Sequence, residues 1–379
     1  MFSPPIVGEE EIAAVTDTLR SGWITTGPKT KRFEEEFAAY IGAENALALN
    51  SCTAGLHVAL ATLDVRKGDE VITTPMTFAA SVNVIEHVGA TPVLVDVEPD
   101  TLTIDPKKIE EAITPRTRAI MPVHYAGHPA DMNPIMELAR RHYLYVVEDA
   151  AHAIPAKYEG RYIGTIGDFT AFSFYATKNL TTAEGGMLTG ATERLKKART
   201  LSLHGMNRDA WKRYSAEGSW FYEVVAPGFK YNMTDIQAAI GLVQLEHLEA
   251  MQARRREIVE RYTAAFSQLP ELQPPTEREN VESAWHLYVL RLNLEQLRLD
   301  RARFIEELKL RNIGSSVHFI PVHLHPYYRH KYRWMPNAFP IAYREYQRML
   351  SLPLHPGLSD TDVDDVIGAV FDVVETFRR

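Results

Sequence analysis

Three segments of the chain carry side chains whose types and spacing could do chemistry. Residues 50–55 are small and polar and precede an apolar helical pattern, so the free N–H groups of that helix start could hold a phosphate. Asp149 and His152 follow a β-rich run, where they could orient a cofactor or bind a metal. Lys178 stands among small and aromatic residues before a Gly-Gly turn, a setting that suits a Schiff-base lysine with a pKa lowered by partial desolvation.

Each segment also has a simpler structural interpretation. Residues 50–55 could be an ordinary helix cap, Asp149 a capping aspartate, and His152 a buried histidine with satisfied hydrogen bonds. A single loop lysine is most often a solvated surface residue. The spacing within each segment leaves these alternatives open. The functional interpretation depends on the three segments occurring together and in this order.

The elements that must position these residues repeat over the first 245 residues. Helical stretches alternate with β-rich runs, which cover residues 46–49, 70–74, 92–97, 119–123, 143–147, 169–174 and 186–189. Within residues 53–63 the apolar side chains recur at i, i+3, i+4 and i+7, and Asn133 followed by Pro134 predicts another helix start. The alternation predicts an α/β fold with a mainly parallel sheet sandwiched by helices, and ligands at the carboxyl ends of its strands.

The pattern changes near residue 245. It then predicts a long helix over residues 237–261, β-rich runs over 285–292 and 315–319, a helix over 301–311 and a last helix from Asp360. We therefore expect a large domain over residues 1–245, which binds the cofactor, and a smaller C-terminal α+β domain over residues 246–379.

Composition limits the partners and the compartment. The net charge of -8 gives no electrostatic reason to expect nucleic-acid binding. No stretch approaches the roughly 18 to 20 apolar residues that cross a bilayer, so we expect no membrane span. The first residues lack the basic and apolar regions of a signal peptide, and the single Cys52 excludes an internal disulfide and a Cys-based zinc cluster. These features indicate a cytoplasmic protein.

Taken in order, these segments resemble the nucleotide-sugar aminotransferases of the DegT group, which have the type I fold of pyridoxal-phosphate (PLP) enzymes. The resemblance covers nearly the whole chain and is carried by residues 21–28, 122–127, 148–152, 172–178, 184–186 and 228–235. Within the group the chain looks closest to the UDP-4-amino-4-deoxy-L-arabinose aminotransferases, which aminate C4 of a UDP-linked 4-keto-pentose. Enzymes that act on UDP-linked 4-keto-6-deoxy-hexoses are similar relatives.

The resemblance implies a role for each cofactor-binding residue. Lys178 would bind PLP as a Schiff base and later shuttle a proton, and Asp149 would keep the pyridine nitrogen protonated. His152 would contact the phenolic oxygen edge, and Phe78 would stack on the ring face, although Phe78 could instead be a core residue. The implied phosphate ligands are Thr53, Ala54, Ser173 and, from the neighbouring subunit of a homodimer, Asn232.

The resemblance also implies which residues face the substrate. These are Thr25, Thr26, Lys230, His318 and His323. Lys230 would meet the diphosphate of a nucleotide sugar, and an exposed loop lysine with no role is the alternative. The four histidines between residues 318 and 330 are irregularly spaced, so we expect no metal site. No arginine stands out as a clamp for the carboxylate of an amino donor.

The implied reaction is a ping-pong transamination. L-glutamate gives its amine to the cofactor and leaves as 2-oxoglutarate, and the amine then passes to the 4-keto group of the sugar. A PLP-dependent sugar 3-dehydratase is one alternative, but in those enzymes a histidine commonly replaces the lysine found here at residue 178. A non-catalytic regulator on the same fold is the other, and the joint presence of Lys178, Asp149 and Ser173 argues against it.

Overall fold

The structure is a computed structural model that describes residues 4–207 and 222–379. The helices of the described residues are α1 (Glu9–Ser21), α2 (Pro28–Ile41), α3 (Cys52–Thr62), α4 (Ala79–His87), α5 (Pro106–Ala112), α6 (Met132–His142), α7 (Thr192–Ser202), α8 (Asp235–Phe266), α9 (Arg301–Leu310), α10 (Pro326–Tyr332), α11 (Pro340–Arg348) and α12 (Asp360–Phe377). The strands are β1 (Ala46–Leu49), β2 (Glu70–Thr73), β3 (Thr91–Leu94), β4 (Thr117–Ile120), β5 (Tyr145–Ala150), β6 (Lys157–Tyr158), β7 (Arg161–Tyr162), β8 (Phe169–Ser173), β9 (Gly186–Gly190), β10 (Leu272–Gln273), β11 (Val281–Glu282), β12 (Tyr288–Leu292) and β13 (Met349–Leu352).

Seven strands form the central sheet in the order β1-β9-β8-β5-β4-β2-β3. β9 runs antiparallel to both of its neighbours, β1 and β8, and the other neighbouring pairs are parallel. Each of the seven β-rich runs predicted over the first 245 residues is a strand of this sheet. The predicted α/β fold with a mainly parallel sheet is therefore confirmed.

Helices cover both faces of the sheet because neighbouring strand residues point to opposite sides. In β1, Leu47 packs in a core with α3, α4 and α7, whereas Ala48 packs in the core on the other face, with α2, α6 and the start of α8. β5 repeats the alternation, with Val147 in the first core and Val146 in the second. The sheet is consequently buried on both faces, as a parallel sheet requires.

Helix α8 connects the large sheet with a smaller C-terminal unit. Its first half contributes Leu242 and Leu245 to the core of the large sheet. Its second half contributes Ile258 and Tyr262 to a separate core around the antiparallel sheet β10-β12-β13. The predicted boundary at residue 245 lies inside this continuous helix, so the division into two domains stays a prediction.

Two strand predictions in the C-terminal part were wrong in detail. Residues 315–319 form no strand, and only a single bridge joins Ser316 to Ser351. The run predicted over residues 285–292 begins as a strand at Tyr288, because Trp285 has a φ of 46° and cannot continue an extended chain.

The start of α6 also differs from the prediction. The helix begins at Met132 with Asp131 as its N-cap, so Asn133 and Pro134 already lie in the first turn. The Asp131 side chain does not cap the helix directly, and the Tyr158 hydroxyl takes over this role. It donates to Asp131 Oδ1 at 2.6 Å and accepts from the Asn133 N–H at 3.3 Å. Proline is tolerated in this turn because its missing N–H would have no partner within the helix.

Within the part of the chain that the structure describes, no helix has both the length and the apolar composition of a membrane span.

Candidate active site

The loop between β8 and β9 carries Lys178. Phe174 N–H donates to Gly185 O at 2.9 Å and Thr182 N–H donates to Phe174 O at 2.9 Å, which closes the loop on itself. Lys178 N–H donates to Tyr175 O at 2.9 Å and fixes the backbone of the lysine. Because β8 lies next to β5 in parallel, this loop stands at the carboxyl end of both strands.

The electrostatics of Lys178 connect it with Asp149. Burial lowers the pKa of the lysine from 10.5 to about 8, while Cys52 and Asp149 act in the opposite direction. Burial lowers the pKa of His152, and the positive charge of Lys178 lowers it further. Lys178 is therefore within electrostatic range of both Asp149 and His152, and its lowered pKa makes it easier to deprotonate to a nucleophile.

Asp149 is buried and accepts hydrogen bonds from three groups. Ser81 Oγ donates to Asp149 Oδ2 at 2.6 Å, Ala151 N–H donates to Asp149 Oδ1 at 3.1 Å, and the Cys52 thiol lies 3.9 Å from the same Oδ1. These contacts fix the orientation of the carboxyl group. Ser81 comes from the first turn of α4, and nothing in the sequence pattern singled it out.

Glu148 points to the opposite side of β5 and has a structural role. Its Oε1 accepts from Gly167 N–H at 2.8 Å and from Thr170 Oγ1 at 2.7 Å. Its Oε2 lies 2.9 Å from His124 Nε2, which is the donor because His124 Nδ1 accepts from Ala130 N–H. The pleat of the strand thus separates a fully bonded glutamate from the aspartate that faces Lys178.

His152 is buried in an aromatic layer and keeps one polar atom without a partner. Its ring centroid lies 4.3 Å from that of His286 and 5.6 Å from that of Phe319. Nδ1 of His152 is buried and makes no hydrogen bond. A buried polar atom without a partner costs about 1–3 kcal/mol, so a bound group that satisfies it would be stabilised there.

His286 supports this layer, although the sequence pattern marked it only as part of a β-rich run. Asn179 donates both amide hydrogens to carbonyls, to Ile154 O at 3.1 Å and to Ala284 O at 2.7 Å. Its Oδ1 must then accept from His286 Nδ1, which lies 3.1 Å away. Asn179, which directly follows Lys178, therefore fixes the tautomer of the histidine that packs on His152.

Phe78 is not a core residue. Its side chain is 63% exposed, and its ring lies 5.9 Å from that of Phe319. Phe78 is the N-cap residue of α4, whose first turn also carries Ser81. An exposed aromatic face beside the aromatic layer is the geometry expected for stacking on a planar ring.

The first turn of α3 has a helix cap, as the simpler interpretation expects, and a phosphate site there stays a prediction. Ser51 Oγ accepts the Ala54 N–H at 3.1 Å, so Ala54 could contact a phosphate only by sharing that N–H. Thr53 is exposed. At the facing start of β9, a Cβ on Gly186 would stand 2.5 Å from Cys52 N, so the close approach of the two backbones needs glycine.

Ser173 ends β8 and is buried. Its hydroxyl accepts the Tyr175 N–H at 3.4 Å, a contact that leaves the hydroxyl hydrogen available. It therefore lies at the base of the loop that carries Lys178.

Thr26, Lys230 and Asn232 lie together. Asn232 Nδ2 donates to Thr26 Oγ1 at 2.7 Å, and Lys230 Nζ donates to Asn232 Oδ1. The backbone of Asn232 pairs with Leu49 at the end of β1. These contacts lie within one chain, and a contribution of Asn232 to the site of a neighbouring subunit stays a prediction.

Asp235 fixes the loop that contains Thr25 and Thr26. Its Oδ1 accepts from Gly27 N–H at 2.8 Å and from Thr30 N–H at 2.9 Å, and its own N–H donates to Thr25 O at 3.0 Å. A buried aspartate from the start of α8 thus caps α2 across the fold. No local sequence signal indicates this role, because Asp235 is far in sequence from the helix that it caps.

The two predicted substrate histidines have different surroundings. His318 is half-buried, with Nδ1 2.9 Å from Ser351 Oγ, and burial together with the charge of Lys178 lowers its pKa to about 4. His323 is buried, and its Nε2 donates to Pro336 O at 3.0 Å. His318 is thus within electrostatic range of the lysine, whereas the recorded contacts of His323 lie outside this site. Across residues 4–207 and 222–379, no group of three or more potential ligands is arranged to hold a metal ion.

The residues present fit PLP. A buried carboxylate faces a lysine of lowered pKa, the partnerless nitrogen of His152 is available to an oxygen substituent, and Phe78 offers an open aromatic face. The start of α3 suits a phosphate. When bound, PLP supplies an electron sink that lets an amino group be taken from one substrate and given to another.

This fold and this site together define a PLP-dependent enzyme of the aminotransferase fold. The model of the DegT/DnrJ/EryC1/StrS aminotransferase family matches residues 5–371. The chain belongs to that family, which confirms the resemblance seen in the sequence.

Similar proteins agree with this assignment. The spore coat polysaccharide biosynthesis protein SpsC of Bacillus subtilis is 54% identical over 376 residues, which cover 99% of this chain and 97% of that protein. The structure of Spr1654 from Streptococcus pneumoniae, described as a sugar aminotransferase, has been solved in a PLP form. It matches this chain with a TM-score of 0.92 and 41% sequence identity, over 99% of this chain and 98% of that one. The Helicobacter pylori aminotransferase PseC is involved in the biosynthesis of pseudaminic acid. Its structure has a TM-score of 0.91 and 28% sequence identity, and the match covers 100% of this chain and 99% of that one. The predicted fold and the predicted cofactor, PLP, are confirmed.

Proposed function

We propose that the protein transfers the amino group of L-glutamate to the 4-keto group of a nucleotide-linked sugar, giving a 4-amino sugar and 2-oxoglutarate. The acceptor would be a UDP-linked 4-keto-pentose or 4-keto-6-deoxy-hexose. The observation that carries the proposal is the nucleophilic Lys178 facing the buried Asp149 in a chain of an aminotransferase family.

The residues of the chain have separate tasks in this proposal. Lys178 holds the cofactor until a substrate displaces it, and its free amine then moves a proton at the substrate carbon. Asp149, oriented by Ser81 and Ala151, would pair with the pyridine nitrogen and keep its proton in place. His152 is neutral and binds an oxygen at the ring edge, and Phe78 covers one face.

The polar cluster of Thr26, Lys230 and Asn232 supports a phosphorylated sugar as the acceptor. Lys230 is exposed and stands beside Asn232 and Thr26, so a cation and two neutral polar groups are available to a diphosphate. SpsC, which takes its name from polysaccharide biosynthesis, also supports a sugar substrate. We further propose a cytoplasmic homodimer with shared active sites, since Asn232 would then serve the phosphate of the neighbouring subunit.

The two alternatives have less support. A sugar 3-dehydratase would not need the lysine at position 178, and a regulator would not need a partnerless ring nitrogen in His152 beside a buried carboxylate. The relatives described above are named as aminotransferases or as a biosynthetic protein. Transamination therefore explains more of the site than either alternative.

The test begins with the purified protein loaded with PLP. L-glutamate should bleach its yellow colour with formation of 2-oxoglutarate, and Lys178→Ala should abolish both. Lys197→Ala, a change of an exposed lysine paired with Asp64, is the matched control. Full turnover by Lys178→Ala would disprove the proposal.

The acceptor is identified in a second step. The bleached enzyme is mixed with UDP-linked 4-keto-pentose, UDP-linked 4-keto-6-deoxy-hexose and a 3-keto nucleotide sugar, with 15N-labelled glutamate as donor. We expect the colour to return only with a 4-keto sugar and the label to appear at C4. Label at C3 would contradict the proposed position.

A further inference from the structure

A narrow cleft is lined by Lys178 but by none of the other cofactor-binding residues described above. It lies between the N-terminal segment, the lysine loop and helix α8, and its walls include Ile6, Lys178, Asn179, Gln244 and Arg255. The cleft thus connects the reacting lysine with a guanidinium from the middle of α8.

Arg255 is buried without a carboxylate partner. It is 3% exposed, its Nη1 donates to Leu354 O at 2.9 Å, and its Nε has no hydrogen-bond partner. Within the described ranges, no carboxylate oxygen lies within 4.0 Å of its guanidinium, although neighbouring Arg254 and nearby Arg261 both pair with Asp360. Arginine is rarely buried unless it is paired, because an isolated buried charge costs several kcal/mol.

The acidic groups on neighbouring elements are already engaged. Glu11 accepts from Gly8 N–H and from Gln244 Nε2, each at 2.7 Å. Asp362 accepts from the N–H and hydroxyl of Ser359 in its own helix cap. The cleft therefore contains a fixed cation whose Nε–H the protein itself leaves without a partner.

We infer that Arg255 binds a carboxylate of the amino donor, and so supplies the clamp that the sequence alone did not reveal. The inference rests on the proposed function, which makes an amino acid the donor. A guanidinium offers paired N–H donors that match a carboxylate. The donor must place its amine at the position of Lys178 Nζ, and Lys178 and Arg255 both line this cleft.

The electrostatic surroundings favour an anion in this cleft. Burial lowers the pKa values of His286 and His355, and the positive charge of Arg255 lowers both further. Nδ1 of His355 is buried and has no partner. A bound carboxylate would neutralise the charge of Arg255, which water stabilises only weakly in these buried surroundings.

The experiment compares Arg255→Met and Arg255→Lys with Arg254→Met. Arg254 neighbours Arg255 in sequence but pairs with Asp360, so it is the matched control. In the PLP-loaded proteins, bleaching by L-glutamate should be about 100-fold slower in kcat/KM for Arg255→Met, less impaired for Arg255→Lys, and unchanged for Arg254→Met. Hydroxylamine, which attacks the same cofactor carbon and has no carboxylate, should react at the same rate with every variant and so shows that the site is intact.

A second measurement does not need the cofactor. In the protein freed of PLP, 2-oxoglutarate should raise the Tm of the wild type and of Arg254→Met but not that of Arg255→Met. Inorganic phosphate is the comparison, because it would also bind a general anion site. Phosphate could instead raise the Tm of the wild type as much as 2-oxoglutarate does, with the rise lost in Arg255→Met. That result would assign the cleft to phosphate and overturn the inference.

The outcomes separate the inference from the proposed function. If glutamate bleaches Arg255→Met as fast as the wild type, the clamp is wrong and transamination stands. If glutamate does not bleach the wild type, the proposed function is wrong, and the 2-oxoglutarate measurement alone then decides whether Arg255 binds carboxylates.

Discussion

Ser81 Oγ donates a 2.6 Å hydrogen bond to Asp149 Oδ2, and both residues are buried. Thr77 Oγ1 lies 2.7 Å from the same serine oxygen, and since Ser81 gives its hydrogen to the carboxylate, Thr77 must be the donor to Ser81. A short chain of hydroxyls from α4 and its preceding loop therefore fixes the orientation of the Asp149 carboxyl group.

Ser81→Ala should weaken the binding of PLP by about tenfold. The change removes a hydrogen bond to a charged group, which contributes about 1.5–3 kcal/mol, from the carboxylate that we propose pairs with the ring nitrogen. Titration of the cofactor-free protein with PLP measures the effect. Thr73→Val, which removes a buried hydroxyl that donates to Met121 O, is the control and should leave PLP binding unchanged. Equal affinities for Ser81→Ala and the wild type would show that Asp149 needs no such support.

The attachment of PLP to Lys178 should become faster as the pH rises and level off above about 8. Burial lowers the pKa of this lysine from 10.5 to about 8, and only the neutral amine attacks the aldehyde. The measurement is the rate of colour formation after mixing PLP with the cofactor-free protein. N-α-acetyl-lysine under the same conditions corrects for the ionisation of PLP itself. A rate that keeps rising towards pH 10.5 would contradict the lowered pKa.

Gly186→Ala should impair both cofactor binding and stability. The new Cβ would stand 2.5 Å from Cys52 N and from Ser51 C, and backbone atoms cannot move aside without shifting the start of α3. We expect a loss of about 1–3 kcal/mol in the free energy of unfolding and weaker PLP binding. Gly314→Ala, where a Cβ meets nothing within 4 Å, is the control. An unchanged affinity for PLP in Gly186→Ala would show that α3 does not hold the phosphate.

Asp235→Ala should destabilise the protein more than the loss of an ordinary helix cap. Asp235 is buried and serves several donors at the start of α2, so we expect a loss of about 2–3 kcal/mol. Ser359→Ala removes the exposed cap of α12 and should cost only about 1 kcal/mol. Thermal unfolding of both variants tests the ranking. A smaller shift of the Tm for Asp235→Ala than for Ser359→Ala would contradict it.

The central sheet was predictable because strand and helix periodicities are local properties of the sequence. The run at residues 169–174 and the Gly-Gly turn before residue 187 place β8, β9 and the loop between them, and hence Lys178, without any knowledge of the fold. Element ends were less predictable. Tyr158 comes from outside the α6 sequence, and it changes where that helix begins.

The sequence by itself determined which chemical groups this protein carries. These are a helix start, an aspartate and a lysine, each of which follows a strand of a mainly parallel α/β sheet. Tertiary structure decided which groups share a space and which of them are charged. Only folding brings together residues from distant segments, such as Ser81 and Asp149, Asn179 and His286, or the lysine and the unpaired Arg255 that lines the same cleft. Burial and pairing are properties of the folded surroundings, so a sequence pattern can nominate a charged group but only packing sets its pKa and its partner.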